Sequence, residues 1–427
     1  MSFRSYGVLL QKPQIRSLMV LGFLARFPHT ALGIVLTLHV VLHLGLSYTQ
    51  AGAAAAILTV GIAVGSPWRG RRVDLVGLRK ALIPSVIAES LIWAIAPHLS
   101  YEWLLVAAFV GGLLALPIFT IVRQSLGALT TGDQRRSAFA LDAIITETVF
   151  MVGPAAGAVL ATMWSSVWTL TCIGLWTSLA GLALMWSNPP VRSVPTAAER
   201  EAFEEATGSI PMIDPTTGAV RQEQLSKVTG FSRRLQSRFS WFNGVVLAVF
   251  ISAFGCGLIF SGSDVSIVAV LEAQGEAGKL GIVYLFWSGA SVVGGLIYGA
   301  QNRQLNPAML MLGLAILVMP LALVTDVWTL ALLSLGAGLL TAPTLAAASE
   351  WLTEAVPERS RGEAMGYYGS ALTAGAALGA PWAGIAIDAV SPSSGFVAVA
   401  AFSIALATVG LLGAWRRRRA QQNTVSE

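Results

Sequence analysis

The sequence predicts an all-α membrane protein of twelve transmembrane helices arranged as two six-helix halves. Composition is the first reason: 55% of the 427 residues are hydrophobic and only 11% are charged. Soluble globular domains contain about 25% charged residues. The mean hydropathy of +0.69 is the second reason, and a succession of long apolar runs is the third. A chain of this kind is expected to fold in a lipid bilayer.

Each predicted span is an apolar run long enough to cross a hydrocarbon core about 30 Å thick. The first run is too long for a signal-peptide core and leads into another span, so no cleaved signal is expected. Cys172 and Cys256 both lie in apolar runs and predict no disulfide framework. The twelve predicted helices are 15–44, 48–68, 80–97, 102–124, 138–162, 167–187, 241–271, 279–300, 307–324, 328–350, 363–388 and 395–415.

Basic residues lie almost entirely on one side of these spans. Of the 27 lysines and arginines, only Lys279 falls on the other side and only Arg26 lies deep within a span, away from its ends. Because cytoplasmic loops are rich in Lys and Arg, both termini are expected in the cytoplasm, with the chain in the inner or plasma membrane. The basic pI therefore reflects membrane topology, and the arginine run 416–419 is interpreted as an anchor rather than a nucleic-acid patch.

The two halves of the sequence repeat each other. The stretch "GGLLALPIFTIVRQS" (111–125) matches "GAGLLTAPTLAAASEW" (336–351). A parallel repeat of this kind predicts an N-terminal half (1–187), a cytoplasmic linker with short interfacial helices (188–240), and a C-terminal half with a basic tail (241–427). Three pairs at offsets of 226, 225 and 227 carry the register: Pro117 with Pro343, Arg136 with Arg361, and Pro154 with Pro381.

The loop after the second helix reads "GRRVDLVGLRK". Together with the 6+6 layout, it resembles the signature G-x-x-x-D-R-x-G-x-R-K of the major facilitator superfamily, over nearly the whole chain. Leu75 stands where the family has Arg. The resemblance implies a cytoplasmic latch, in which Asp74 faces the start of helix 11 near Gly362 and close to Arg123. The alternative is basic charge that only sets topology. The matching positions are Gly70, Asp74, Gly77, Arg79 and Lys80.

Helix 5 contains "GPAAG", which resembles the G-P-x-x-G-G core of proton-coupled drug antiporters in the same superfamily. Gly153, Pro154 and Gly157 match, whereas Val149 and Ala158 depart from the pattern. Proline removes one helical hydrogen bond and bends the helix. Since helix 11 carries "GAPWAG" at the equivalent place, the bend is either an antiporter feature or general architecture.

Ionisable groups inside spans are the candidates for substrate or proton binding. Arg26 and Glu147 are expected roughly 16 and 14 Å from the inner surface at 1.5 Å per residue, and Glu89 is similarly deep. Helices 1 and 5 pack together in this superfamily, so Arg26 and Glu147 are expected to pair, as a permanent strut or as a switch. Asp142 is expected near the cytoplasmic edge and Asp264 near the outer end of helix 7.

One base and two acids at this depth leave one carboxyl group without a partner, and this group is expected to be neutral in at least one state. A carboxyl group that takes up or loses a proton as access alternates is the minimum requirement for proton coupling. His39 and His43 form half of a metal site at most, because no Cys, Asp or Glu stands at ligand spacing. No phosphate-binding loop or catalytic constellation occurs, so neither an enzyme nor a cofactor is predicted.

The sequence therefore predicts a monomeric secondary active transporter that works by alternating access. Proton-coupled efflux of a small apolar or amphipathic compound is the preferred interpretation, and Arg26 leaves room for an anionic substrate. A metabolite or sugar importer or facilitator is the alternative, and a transport-inactive membrane sensor is a third.

Overall fold

The computed structural model describes residues 4–46, 48–192, 241–276, 279–301 and 303–408, and within these ranges every regular element is helical. The predicted linker helices and the terminal arginine run lie outside the described residues. The α-helices are α1 (Arg4–Gln11), α2 (Pro13–Leu38), α3 (Tyr48–Val76), α4 (Leu78–Ile95), α5 (Tyr101–Leu114), α6 (Ile118–Leu129), α7 (Gly132–Leu160), α8 (Ser166–Ser187), α9 (Gly244–Ala273), α10 (Leu280–Gly299), α11 (Pro307–Val318), α12 (Val327–Ala355), α13 (Arg361–Ala389) and α14 (Ser394–Thr408).

Nine helical stretches in the described residues are long and apolar enough to cross a membrane. One of them, Gly132–Ser187, is 56 residues long and contains both α7 and α8, joined through a π-helical turn. Two further apolar helices, Pro307–Leu323 and Ser394–Thr408, are shorter. The chain is thus a multi-pass membrane protein, and the number of twelve spans stays a prediction.

Three of the differences between the observed and the predicted helix boundaries affect the candidate site. The second predicted helix continues through the signature segment to Val76, where Gly77 adopts a positive φ of 78° that glycine tolerates better than other residues. The fourth is broken between Leu114 and Ile118. The fifth begins at Gly132 rather than at residue 138, so every side chain on it lies six residues further from the start of the helix than predicted.

Helices α1–α8 and α9–α14 meet closely at the end of the bundle that carries Asp74, called the Asp74 end below. A Cβ at Gly70 of α3 would overlap the carbonyl oxygen of Gly362 of α13, and a Cβ at Gly366 would overlap the backbone of Ser66. Small residues allow two helices to approach to backbone contact. The two sets of helices are therefore closed against each other at this end.

The fifth predicted helix corresponds to α7, and the glycines of its "GPAAG" motif lie against α2. Pro154 is inside α7, which remains helical from Gly132 to Leu160. A Cβ at Gly157 would lie 2.8 Å from the Cβ of Ala31 and 2.9 Å from a methyl of Val35. The small residues therefore fit the α2–α7 contact.

Gly157→Ala is expected to lower the melting temperature of the purified protein, because overpacking a close contact costs about 1–3 kcal/mol. Gly33→Ala on α2 is the matched control, since a Cβ there meets nothing within 4 Å. Alanine is intrinsically better than glycine in a helix by roughly 0.5–1 kcal/mol, so this control is expected to leave the melting temperature unchanged or raise it. Equal responses of the two variants would contradict the close α2–α7 contact.

Candidate functional site

A buried ion pair joins Arg26 of α2 to Asp142 of α7. The guanidinium Nη1 lies 2.7 Å from the carboxylate Oδ1, and the side chains are 1% and 2% exposed. Arg123 of α6 donates from Nε to the other carboxylate oxygen, Oδ2, at 3.4 Å. The cluster of Arg26, Arg123 and Asp142 therefore holds two positive charges against one negative charge.

Aromatic rings lie against both guanidinium groups. The Arg26 guanidinium lies 4.8 Å from the ring centre of Phe119, and the Arg123 guanidinium lies 5.1 Å from that of Tyr368 on α13. A cation over an aromatic face gains about 0.5–2 kcal/mol, most when desolvated. These contacts offset part of the cost of burying the second positive charge, and Tyr368 connects the cluster to the C-terminal helices.

The expected pairing of Arg26 with Glu147 is wrong, because Arg26 pairs with Asp142. Because α7 begins at Gly132, Asp142 lies roughly 15 Å into the helix at 1.5 Å per residue, which is level with Arg26. Glu147 is five residues further along, or about 140° around a helix of 3.6 residues per turn. Asp142 and Glu147 therefore cannot both face α2.

Glu147 instead faces the C-terminal helices. Both of its carboxylate oxygens are buried, and neither has a hydrogen-bond partner among the described residues. Ser291 of α10 is a polar neighbour of the carboxyl group, and Ile144 of α7 lies against Gly295 of the same helix. An ionised carboxylate without a partner would cost several kcal/mol at such a site. The contact between the two sets of helices thus contains one acid that no base compensates.

Glu89 lies beside the break between α5 and α6. Its Oε1 accepts a hydrogen bond from the N–H of Leu116 at 3.2 Å. Arg69 donates to the carbonyl oxygens of Gly112 at 2.7 Å and Leu113 at 3.2 Å. These bonds satisfy backbone groups that a broken helix leaves free, so the contacts of Glu89 are those of a structural residue. Arg69 is one of several basic residues near the end of the second predicted helix, and no feature of the sequence predicted this capping contact.

The carboxylate of Asp74 caps the N-terminus of α13. It accepts hydrogen bonds from the backbone N–H of Gly362 at 3.0 Å and of Glu363 at 2.8 Å. A negative charge at a helix N-terminus is favourable because the helix dipole is positive there. Gln124 donates from Nε2 to the same carboxylate at 2.7 Å. Arg123, which was expected beside Asp74, points instead to Asp142, and its neighbour Gln124 occupies that place.

The replacement of the family arginine by Leu75 leaves an exposed side chain, 69% accessible. Arg192, which follows α8, donates to the carbonyl oxygen of Asp74 and brings a guanidinium group beside it. Arg79 donates from Nε to the carbonyl of Met185 at 2.9 Å. Basic side chains from the signature segment and from the end of α8 therefore connect α3 and α4 to the start of the linker.

A second polar network joins the two sets of helices at the start of α7. Arg136 lies 3.4 Å from Glu350 of α12 and donates to the carbonyl of Gln301 at 2.6 Å. Ser137 donates to the carbonyl of Gly299 at 2.6 Å. Glu350 is fully buried. Glu350 was not among the predicted site residues, although it stands 226 residues after Gln124, which is the offset of the repeat.

Asp264 and the two histidines lie apart from these networks. Asp264 of α9 is exposed and accepts a hydrogen bond from the hydroxyl of Tyr284 of α10 at 2.9 Å. His39 stacks on His43 with ring centres 4.9 Å apart, and its Nδ1 lies 3.0 Å from the hydroxyl of Ser166. In the described part of the chain no group of three or more metal-ligating side chains occurs.

Comparisons with known proteins agree with this architecture. The human organic anion transporter MFSD10 (TETRAN) is similar in structure, with a TM-score of 0.64 over 93% of this chain and 99% of that one. Its sequence is 15% identical, so the likeness shows the fold. No curated protein matches the chain in sequence. The profile of the Major Facilitator Superfamily matches residues 18–300 and 303–427, nearly the whole length. The chain therefore belongs to the Major Facilitator Superfamily.

Proposed function

We propose that this chain is a proton-coupled secondary transporter that exports a small apolar or amphipathic compound by alternating access. Two six-helix halves would rock about a central site, with twelve spans and both termini in the cytoplasm of a cell membrane. Membership of a transporter family supports secondary transport. The partial helix 5 motif and the few polar residues in the cavity-lining helices favour export.

Glu147 is the observation that carries the proton-coupling part of the proposal. Its buried carboxyl group has no basic partner and lies against α10, where the N-terminal and C-terminal helices meet. When the halves rock, this contact changes, and the carboxyl group gains or loses access to water. A group that is neutral when enclosed and ionised when hydrated carries one proton across per cycle.

The closed Asp74 end supports alternating access with a latch at the cytoplasmic side. Asp74 on the N-terminus of α13 and Arg136 on Glu350 are separate polar contacts between the halves. Both sets of contacts would have to break for the halves to open at this end. The two networks stabilise the state in which the Asp74 end is closed, and their loss would favour the state in which this end is open.

Transport of fluorescent amphiphiles in reconstituted vesicles tests the role of Glu147. Glu147→Gln is expected to lower transport driven by a pH gradient at least about tenfold, because an amide cannot exchange a proton. Exchange of labelled for unlabelled compound without a gradient is expected to persist. Glu102→Gln, an exposed acid at the start of α5, is the matched control and should keep both activities.

Unchanged pH-driven transport in Glu147→Gln would exclude Glu147 as the coupling group. Accumulation in the opposite direction under the same gradient would indicate an importer. Absence of transport of every amphiphile by the wild type would favour the sensor.

A further inference from the structure

One edge of the Arg26 guanidinium has no acceptor. Nη1 contacts Asp142, whereas Nε and Nη2 have no hydrogen-bond partner among the described residues, although the side chain is only 1% exposed. A guanidinium group carries five N–H donors in a planar fork that matches a carboxylate or phosphate. A buried donor without an acceptor costs about 1–3 kcal/mol. The ion pair with Asp142 therefore leaves the hydrogen-bond donors on the Nε–Nη2 edge of Arg26 unsatisfied.

The charge around this edge is positive. Arg123 contacts the other oxygen of the Asp142 carboxylate and is close enough to Arg26 for the two guanidinium groups to repel each other. In the part of the chain that the structure describes, no second carboxylate lies within ion-pair distance of either arginine. Asp142 neutralises one positive charge and leaves the other. A bound anion would complete the neutralisation.

The surroundings of the cluster are aromatic. Phe119 lies under the Arg26 guanidinium, and Phe150 of α7 stacks on Phe119 with ring centres 5.9 Å apart. His29 of α2 meets the edge of the Phe119 ring at 5.9 Å. A ligand that binds here would find a cationic edge beside a wall of rings. Such a site fits an anionic head group attached to an apolar or aromatic body.

We infer that the transported compound is an amphipathic organic anion, whose anionic group binds the Nε–Nη2 edge of Arg26 while its apolar part lies along Phe119 and Phe150. This inference rests on the proposed transport function, and it names the class of substrate. Because both nitrogens are buried in the present state, the compound reaches them when the helices around Arg26 rearrange. Asp142 holds Arg26 in place while the site is empty.

Ligand-induced shifts of the melting temperature of the purified, detergent-solubilised chain test the inference. The probes are 4-phenylbutyrate and two molecules of nearly the same shape, 4-phenylbutanamide and 4-phenylbutylamine. The carboxylate is expected to raise the melting temperature in a saturable way, and the amide and the amine are not. Equal shifts with all three compounds, or no shift with the carboxylate, would overturn the proposal.

Arg26→Lys is the decisive variant because it keeps the positive charge beside Asp142 and removes the planar edge. It is expected to fold and to bind 4-phenylbutyrate at least about tenfold more weakly, the size of effect typical for a lost charge-assisted hydrogen-bond pair. Arg359→Lys, on an exposed turn, is the control for the same exchange and should bind like the wild type. Undiminished binding to Arg26→Lys would contradict the assignment.

Binding in detergent does not depend on proton coupling, which separates the two proposals. Glu147→Gln is expected to bind 4-phenylbutyrate normally while losing pH-driven transport. Selective binding of the carboxylate together with pH-independent transport would retain the anion site and exclude the coupling role of Glu147. The reverse result would retain the coupling and exclude the anion site.

Discussion

Replacement of Asp142 by alanine is expected to abolish most of the folded protein. Asp142 is the carboxylate that both Arg26 and Arg123 contact. Its removal would leave two guanidinium groups buried together without a counter-charge. Breaking a buried ion pair by removing one partner costs about 3–5 kcal/mol, and net folding stability is only about 5–15 kcal/mol. Size-exclusion chromatography in detergent measures the monodisperse fraction, and thermal unfolding measures what remains.

Two further variants separate charge from packing. Asp142→Asn keeps the shape and one acceptor but removes the negative charge, so it is expected to fall between the wild type and Asp142→Ala. Arg26→Met combined with Asp142→Ala removes one of the two positive charges along with the carboxylate, and it is expected to recover part of the lost yield. A wild-type yield and melting temperature in Asp142→Ala would show that the cluster does not stabilise the fold.

The misplacement of Asp142 shows where sequence reasoning stops in a membrane helix. Composition, basic-residue asymmetry and the signature segment predicted an all-helical membrane protein and the contact of Asp74 with the start of α13. They did not give the position of a side chain along this helix relative to its neighbours, because the polar residues 132–137 were assigned to a loop and are helical. A shift of six residues displaces a side chain by roughly 9 Å along the axis at 1.5 Å per residue, which is enough to exchange Asp142 for Glu147.

The exchange of Arg123 and Gln124 has a different physical cause. The predicted fourth helix was continuous, whereas α5 ends at Leu114 and α6 begins at Ile118. A break of this kind changes the rotation of the second segment, so counting residues from the start of the span does not give the face on which a later side chain lies. The sequence therefore did not predict whether Arg123 or Gln124 faces Asp74, although Pro117 marked the place of the break.

Gly70→Val is expected to open the Asp74 end of the bundle. A Cβ at this position would overlap the carbonyl oxygen of Gly362, which belongs to a helix backbone and cannot turn away. Helices α3 and α13 would have to separate, which weakens the hydrogen bonds from Gly362 and Glu363 to Asp74. Overpacking costs about 1–3 kcal/mol. Each 1.4 kcal/mol shifts the equilibrium between the closed and the open Asp74 end about tenfold.

Thiol labelling of a single cysteine at Thr353 reports this opening. Thr353 is fully buried on α12, and it lies against Gly127 of α6 across the contact between the halves. In a Thr353→Cys background with Cys172 and Cys256 replaced by serine and alanine, Gly70→Val is expected to raise the labelling rate about tenfold, as the free-energy shift implies. Gly52→Val at the opposite end of α3, where a Cβ meets nothing within 4 Å, should leave the rate unchanged. If both variants label at the same rate while remaining folded, the close contact between Gly70 and Gly362 does not hold the two halves together, and the latch must lie in the Arg136–Glu350 network instead.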